Sequence, residues 1–261
     1  MKESRKEHWE AFWVDADGLS LEDVYDNGGR ILRELFRVCD PVGKRILEVG
    51  AGTGRDSVAL ARSGADVITL DYSPKSLELI RQASGQAGVE VGMVGGDGLQ
   101  LPFADNSFDV VFHQGLLEHF RDPMVMLREH QRVLKPGGLL LVDVPQRWHY
   151  YTVGKHILMA MNRWFAGWET EFSVGELEGL IRQAQMDPVH SYGDWMVPNL
   201  LYRALRKGLL RVNLRLPMYP KPLPVLGRLD AAWREWFASR RVSLYTTIVI
   251  GVVGQKPVAG R

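Results

Sequence analysis

A single cysteine, Cys39, in 261 residues leaves nothing for an internal disulfide to join. It suits a reducing compartment, where its expected role is that of a small packing residue. No stretch reaches the roughly 20 apolar residues of a membrane-spanning helix. The opening run Met1-Lys-Glu-Ser-Arg-Lys-Glu-His8 lacks the apolar core that a signal peptide needs, so a cytoplasmic protein is expected. A charge of one sign is missing too, with 32 Lys and Arg standing against 31 Asp and Glu for a formal net charge of +1. There is thus no global electrostatic case for nucleic acid or membrane, and any such partner has to be read from local clusters. Internal repeats and low-complexity tracts are absent. What remains is 46% hydrophobic content, ample for a full core, in a length that fits one α/β domain with additions.

The most informative stretch is Arg45-Ile-Leu-Glu-Val-Gly-Ala-Gly-Thr-Gly-Arg-Asp56, where an apolar strand runs into three alternate glycines and then into a helix. Gly50, Gly52 and Gly54 put no Cβ between backbone and ligand, so a bound group can sit against the amides that open the helix. The spacing is G-x-G-x-G, preceded by Glu48. Ser57 stands where the dinucleotide pattern wants its last glycine, which argues against a pyrophosphate. Asp71 ends the strand-like run Asp66-Val-Ile-Thr-Leu-Asp71, 17 residues after Gly54, where an acid can take both ribose hydroxyls. NAD enzymes use the same geometry, so glycines and acid alone leave an NAD-dependent oxidoreductase open.

Further segments carry a family resemblance. Glu48-Val-Gly-Ala-Gly-Thr-Gly54 is similar to the first motif of the class I S-adenosylmethionine-dependent methyltransferases. Gly96-Asp97-Gly98-Leu99-Gln100-Leu101-Pro102-Phe103 resembles that family's loop after the third strand, Phe108–His119 its fourth strand and following loop, and Arg132–Val142 its turn into the fifth strand. The resemblance covers roughly residues 40 to 145 and is closest to the small-molecule branch that includes quinone-biosynthesis enzymes. It implies an α/β, doubly wound, Rossmann-like seven-stranded sheet with an antiparallel last strand and helical lid insertions. It also implies S-adenosyl-L-methionine as cofactor, S-adenosyl-L-homocysteine as product, and no metal. Carried onto this sequence, the glycine turn of Gly50, Gly52 and Gly54 would hold the methionyl end with Glu48 beneath it. Asp71 and Tyr72 would meet the ribose, Asp97 and Gly98 the adenine, and Gln114 would wall the sulfonium side. No Asn-Pro-Pro-Tyr or Asp-Pro-Pro-Tyr follows the fourth strand, which disfavours a nucleobase acceptor. The expected reaction is methyl transfer to O, C or N of a small-molecule or lipid-like acceptor, and the competing reading is a non-catalytic cofactor-binding regulatory or partner subunit.

Candidate catalytic groups are His119, His149 and Tyr150. His119 follows Glu118 and could act as a general base near neutral pH, while packing is an equally good account of it. His149, Tyr150 and Tyr151 follow the fifth strand, where this fold commonly builds its acceptor site, with Trp148 as a wall.

The pattern alternates from Arg45 onward: strand 45–49, helix 55–63, strand 66–71, helix 74–84, strand 89–94, helix or loop 98–106, strand 108–113, helix 122–134 and strand 138–144. Ser73-Pro74 reads as a helix start, and Lys135-Pro-Gly-Gly138 as a helix stop and turn. A lid helix with an apolar face is expected over Lys155–Trp168, a helix over Ser173–Gln185, a strand near 187–195, and a final strand over Val242–Gly254. The division expected is N-terminal cap helices in 1–40, a cofactor-binding core in 41–145, an acceptor-side lid and end of core in 146–195, a basic helical insertion in 196–240, and the final strand and tail in 241–261.

Within the insertion, residues 196–229 hold seven basic residues (Arg203, Arg206, Lys207, Arg211, Arg215, Lys221, Arg228) and no Asp or Glu. Either this is a lid helix with solvated charges, or it rests on anionic lipid at the inner face of the membrane.

Overall fold

The computed structural model describes residues 9–10, 29–162, 164, 168–195, 200–210, 214–217, 233, 236–237 and 240–258. Seven strands, β1 (Arg45–Val49), β2 (Asp66–Asp71), β3 (Gly92–Gly95), β4 (Phe108–Gln114), β5 (Leu134–Pro145), β6 (Asp187–Asp194) and β7 (Val249–Gln255), form one sheet in the order β3-β2-β1-β4-β5-β7-β6. The pairs from β3 through β5 are parallel, whereas β7 runs antiparallel to both β5 and β6. An all-parallel 3-2-1-4-5-6 sheet is the dinucleotide arrangement. The antiparallel strand set between β5 and β6 is therefore a departure from the oxidoreductase alternative.

Alternation along the strands sorts their side chains to two faces. Ile46, Val110, Phe112 and Leu141 pack with Ile31 and Leu35 of α1 (Arg30–Val38), Leu60 of α2 (Arg55–Arg62) and Ile80 of α3 (Pro74–Ala87). Leu47, Val111, Leu140 and Val142 pack with Met126 and Leu127 of α4 (Pro123–Val133) and with Leu177 and Ile181 of α6 (Val174–Gln183). The Ser73-Pro74 start is present, with the Ser73 side chain accepting from the Ser76 amide, and Ser173 opens α6 in a reciprocal capping box with Glu176.

Four expectations change. Lys135-Pro-Gly-Gly138 is not a turn between elements, because β5 starts directly at Leu134 and absorbs these residues as an irregularity between the pairs Phe108↔Leu134 and Val110↔Leu139. Backbone crowding explains the glycine: a Cβ on Gly138 would lie 2.8 Å from the Lys135 carbonyl oxygen and 3.0 Å from that of Asp109. The final strand starts at Val249 rather than Val242. Residues Arg241–Tyr245 form a 3-10 turn in which the Thr246 and Thr247 hydroxyls satisfy the Ser243 and Leu244 carbonyls at 2.7 and 3.0 Å. The third strand is Gly92–Gly95 rather than 89–94.

The fourth change concerns the lid. Helix α5 spans Tyr150–Ala160 and ends where the periodicity had suggested a middle. Its buried residues are Thr152, Lys155 and Met159, while Ile157 and Met161 are 58% and 55% exposed, so the apolar row faces outward and a polar face is inward.

Helix α7 (Leu200–Leu210) lies in the basic insertion and is tied back by Tyr202 Oη donating to the Pro217 carbonyl at 2.7 Å. Most of 196–229, the Phe12 and Trp13 positions, and most of the helix expected at 229–238 lie outside the described residues. No helix among the described residues is long and apolar enough to cross a membrane.

Candidate functional site

The carboxyl ends of β1, β2 and β4 bring the predicted residues to one edge of the sheet. After β1 the chain needs three left-handed residues in alternation, and Gly50, Gly52 and Gly54 supply them at φ 67, 55 and 64°. The turn is held from both neighbours. A Cβ on Gly50 would meet Leu116 Cδ2 at 3.0 Å, and one on Gly54 would meet Ile80 Cγ1 at 2.6 Å. The Gly52 peptide is gripped from the β2 side, its N–H donating to Asp71 Oδ2 at 2.9 Å and its carbonyl accepting from Ser76 Oγ at 2.6 Å.

Asp71 braces this turn from its other end as well. Its Oδ1 accepts from the Ser73 amide at 2.9 Å, so one carboxylate joins the glycine turn to the start of α3. Burial pushes its carboxyl up, and the amides of Ser73 and Gly52 pull it partly back. The Ser76 side chain and the Tyr72 amide add to these contacts, so the carboxylate is engaged from several sides. Tyr72 follows at the half-buried strand end.

Glu48 lies beneath the turn, buried, accepting from Ser57 Oγ. Burial, reinforced by the Asp56 charge, pushes its carboxyl up to about 8. The unfolded reference lies near 4.3, so the folded chain retains a proton that the unfolded chain has lost. Stability from this group is fully present below about pH 4 and declines as the pH rises toward 8. Glu48→Gln is accordingly expected to flatten the fall in thermal midpoint between about pH 5 and 8. Melts across that range check it, and a slope equal to the parent's would place the titration elsewhere.

Gln114, at the end of β4, donates from Nε2 to Asp56 Oδ2 at 2.8 Å and closes β4 onto the start of α2. Asp97 sits exposed in the loop after β3, its Oδ1 accepting from the Leu99 amide at 2.9 Å. Gly98 lies against the end of β1, where a Cβ would meet Val49 Cγ1 at 3.1 Å and Met126 Cε at 3.2 Å.

On the far side of β4, Leu117–His119 form a 3-10 turn. Glu118 is buried and His119 partly buried, and Trp9 meets the His119 ring edge-on at 4.9 Å. Burial, with Glu169 beside it, holds the Glu118 carboxyl well above its ordinary range. His149 spends Nδ1 on the Tyr151 amide at 3.2 Å as the cap of α5, and burial lowers its imidazole. Tyr150 stacks on it at 4.1 Å while remaining 62% exposed. No cluster of three metal-binding side chains occurs among the described residues.

Several contributors were invisible in the sequence. Glu10 takes the Ser73 hydroxyl, so Trp9 and Glu10 reach opposite lips of the cleft, after β4 and after β2, across the glycine turn between them. Lys155, 2% exposed, pairs with Glu169 Oε2 and Glu171 Oε1, both at 2.6 Å. Burial alone would push its ammonium down, but the two carboxylates outweigh this and hold it above the ordinary lysine range. Partners 14 and 16 positions away leave no local pattern to read.

Comparison with known proteins agrees with this geometry. Residues 47–142 match the family model described as a methyltransferase domain. A ubiquinone biosynthesis O-methyltransferase from Cereibacter sphaeroides is 33% identical over 159 residues, covering 58% of this chain and 63% of that protein. The chain thus spans somewhat under two thirds of that relative's length. A demethylmenaquinone methyltransferase from Corynebacterium kroppenstedtii is 42% identical over 100 residues, 38% of this chain and 41% of its own. Among solved structures, a SAM-dependent methyltransferase from Thermotoga maritima superposes with a TM-score of 0.63 at 19% identity, covering 97% of this chain and 100% of that one. Magnesium protoporphyrin IX methyltransferase from Synechocystis, with bound SAH, gives 0.60 at 12% identity, over 96% and 93%. Glycine turn, sheet order and matched span agree in making residues 47–142 similar to a methyltransferase domain.

Proposed function

We propose that the chain transfers a methyl group from S-adenosylmethionine to a small, quinone-like or lipid-like acceptor, with an aromatic hydroxyl oxygen as the favoured target over carbon or nitrogen. One observation carries the cofactor assignment: Gly52, flanked by two further left-handed glycines, is bonded directly to Asp71, so methionyl and ribose recognition share one rigid unit. The residues fit the group. Three left-handed glycines lie beside the Asp71 carboxylate, and Asp97, exposed in the loop after β3, is the acid we assign to the adenine. The relatives' names, with their quinone-biosynthesis O-methyl transfer, support the acceptor class.

The cofactor supplies an activated sulfonium methyl, so what the chain has to add is mainly alignment. Glu48, Gly50, Gly52, Gly54, Asp71, Tyr72, Asp97, Gly98 and Gln114 hold the donor. His119 takes the proton of the acceptor hydroxyl. His149 and Tyr150 border the acceptor entrance, His149 through its hold on α5. A non-catalytic subunit would have no need of an acceptor-side imidazole, and the intact donor cradle also speaks against it.

Calorimetry tests the assignment. S-adenosylhomocysteine is expected to bind at micromolar strength or tighter, about −8 kcal/mol or better, and NAD not at all. Asp71→Ala should weaken that binding by about 1.5–3 kcal/mol, because an ionised acceptor is removed from buried hydroxyls. The reverse ligand preference, or unchanged affinity in folded Asp71→Ala, would overturn the placement of the cofactor.

The acid-free segment 196–229 supports peripheral contact with anionic lipid at the inner membrane face as the finer reading. Flotation with phosphatidylglycerol vesicles should recover the protein at low salt and lose it as salt shortens the screening length to about 10 Å or less. Absence of flotation at low salt leaves the segment as a lid.

A further inference from the structure

We propose that Glu169 is a positioning residue for His119, holding a carboxylate against its imidazole, and that the buried Lys155 fixes Glu169 in that place. The inference rests on the reading of His119 as the base that receives the acceptor proton. It adds residues from a different part of the chain and a test that does not depend on the acceptor.

The geometry brings three segments together. The Thr170 amide donates to the Glu118 carbonyl at 2.9 Å, which lays residues 169–170 against residues 118–119. Phe172 pairs with Gln146, and the Arg147 amide donates to the Phe172 carbonyl at 3.0 Å, so the same segment is stitched to the end of β5. Arg121 lies over the Trp168 ring at 4.6 Å on the other side. Glu169 is thereby delivered beneath the 3-10 turn, and each of its oxygens is directed: Oε1 accepts from Trp164 Nε1 at 2.8 Å and Oε2 from Lys155 Nζ at 2.6 Å. Lys155 is in turn shared with Glu171, whose Oε2 meets His156 Nε2 at 2.8 Å.

A buried lysine between two buried glutamates is an expensive way to fasten a helix, since apolar packing would serve as well or better. What it retains is a net negative charge. Two carboxylates against one ammonium leave one charge uncompensated in a region of low dielectric, and burial beside Glu169 pushes the Glu118 carboxyl up, which opposes a second charge there. The Thr170–Glu118 backbone bond keeps that charge close enough to act on His119, whose Nδ1 is buried with no hydrogen-bond partner among the described residues.

When a hydroxyl acceptor reacts, its oxygen gains the methyl and its O–H bond breaks. The proton passes to imidazole nitrogen, and the thioether leaves neutral. The imidazolium so formed is stabilised by Glu169 and opposed by Lys155, while the backbone carbonyls of Trp168 and Gly115 favour it. In the resting protein burial wins and keeps the imidazole below its ordinary range, so the base is neutral and ready. The groups facing the ring are thus Glu169 and Lys155, with Glu118 adjoining it in the chain and Glu171 and His156 behind the lysine.

The test is a pH titration by NMR of protein labelled at histidine Cε1, loaded with S-adenosylhomocysteine, with His119→Gln identifying the resonance. Glu169→Gln should lower the His119 midpoint by about one pH unit or more, the scale of a lost neighbouring charge. Lys155→Gln should raise it, and this arm decides alone if Glu169→Gln does not fold. Glu169→Asp, which keeps the charge, should restore most of the shift. Glu171→Gln breaks the same ion-pair cluster one step further away and should move the midpoint by less than half as much. A midpoint unmoved by Glu169→Gln, or moved equally by Glu171→Gln, would overturn the proposal and leave Glu169 as a fastening for α5. Failure of the underlying reading shows separately: His119→Gln would then retain parental methyl transfer to 3,4-dihydroxybenzoate or to the true acceptor, whatever the titration gave.

Discussion

Gly52→Val is expected to reduce S-adenosylhomocysteine affinity at least 100-fold, beyond the reach of ordinary calorimetry. At φ 55° a β-branched residue is strained, and relaxing it pulls the peptide away from Asp71 and Ser76, which hold it at 2.9 and 2.6 Å. The branched side chain would also occupy the space into which the methionyl end has to settle. A 100-fold loss corresponds to about 2.7 kcal/mol, well within what strain and a blocked approach supply together. The sheet itself should survive, because, of this loop, only Ala51 belongs to the two apolar clusters among the described residues. Titration of the folded variant, with far-ultraviolet circular dichroism as a folding control, decides it. Retained micromolar affinity would mean that the donor does not sit on the glycine turn.

The largest stability effect is expected at Arg30, far from any motif. Its Nε donates to Asp143 Oδ2 at 2.6 Å, and Tyr192 donates its hydroxyl to the other oxygen, so α1 is fastened through the carboxylate to β5 and β6. Arg30→Met leaves Asp143 fully buried without its counter-charge and should cost about 3–5 kcal/mol. Burial already raises the Asp143 carboxyl, with Arg30 opposing that rise, so loss of Arg30 raises it further. The deficit should therefore be worst at neutral pH and shrink toward acid, as the orphaned carboxyl takes up a proton. Urea melts of Arg30→Met, Asp143→Asn and the double variant check this. A double variant more stable than Arg30→Met is expected, and simple additivity would show that the pair is not coupled.

The contrast between these two sites explains how far the sequence could be read. The glycine turn, Asp71 and the strand-helix alternation were legible because each is local: a backbone conformation only glycine adopts readily, or a period that a short window displays. Even there the bracing role of Asp71 was hidden, since its two oxygens tie the glycine turn to the start of α3. Local cues misled at Lys135-Pro-Gly-Gly138, where the usual helix-stop composition is used as a bulge inside β5 because two carbonyls crowd Gly138. They misled again in α5, where apolar periodicity suggested Lys155–Trp168 and the helix is Tyr150–Ala160 with Lys155 buried. A helix can bury a lysine when two glutamates arrive from a segment beyond its end, and nothing in a 3.6-residue pattern announces that. Glu10 and Arg30 were unreadable for the same reason, their partners lying 63 and 113 positions away.

The direct measurement is to incubate the protein with S-adenosylmethionine carrying a labelled methyl and a solvent extract of cells that lack this gene, then count label in the lipid and quinone fraction against S-adenosylhomocysteine formed. The prediction is label in that fraction, matched one for one by S-adenosylhomocysteine and absent with Gly52→Val. Binding of the donor with no transfer above the Gly52→Val background would contradict it and leave a cofactor-binding subunit in place of an enzyme.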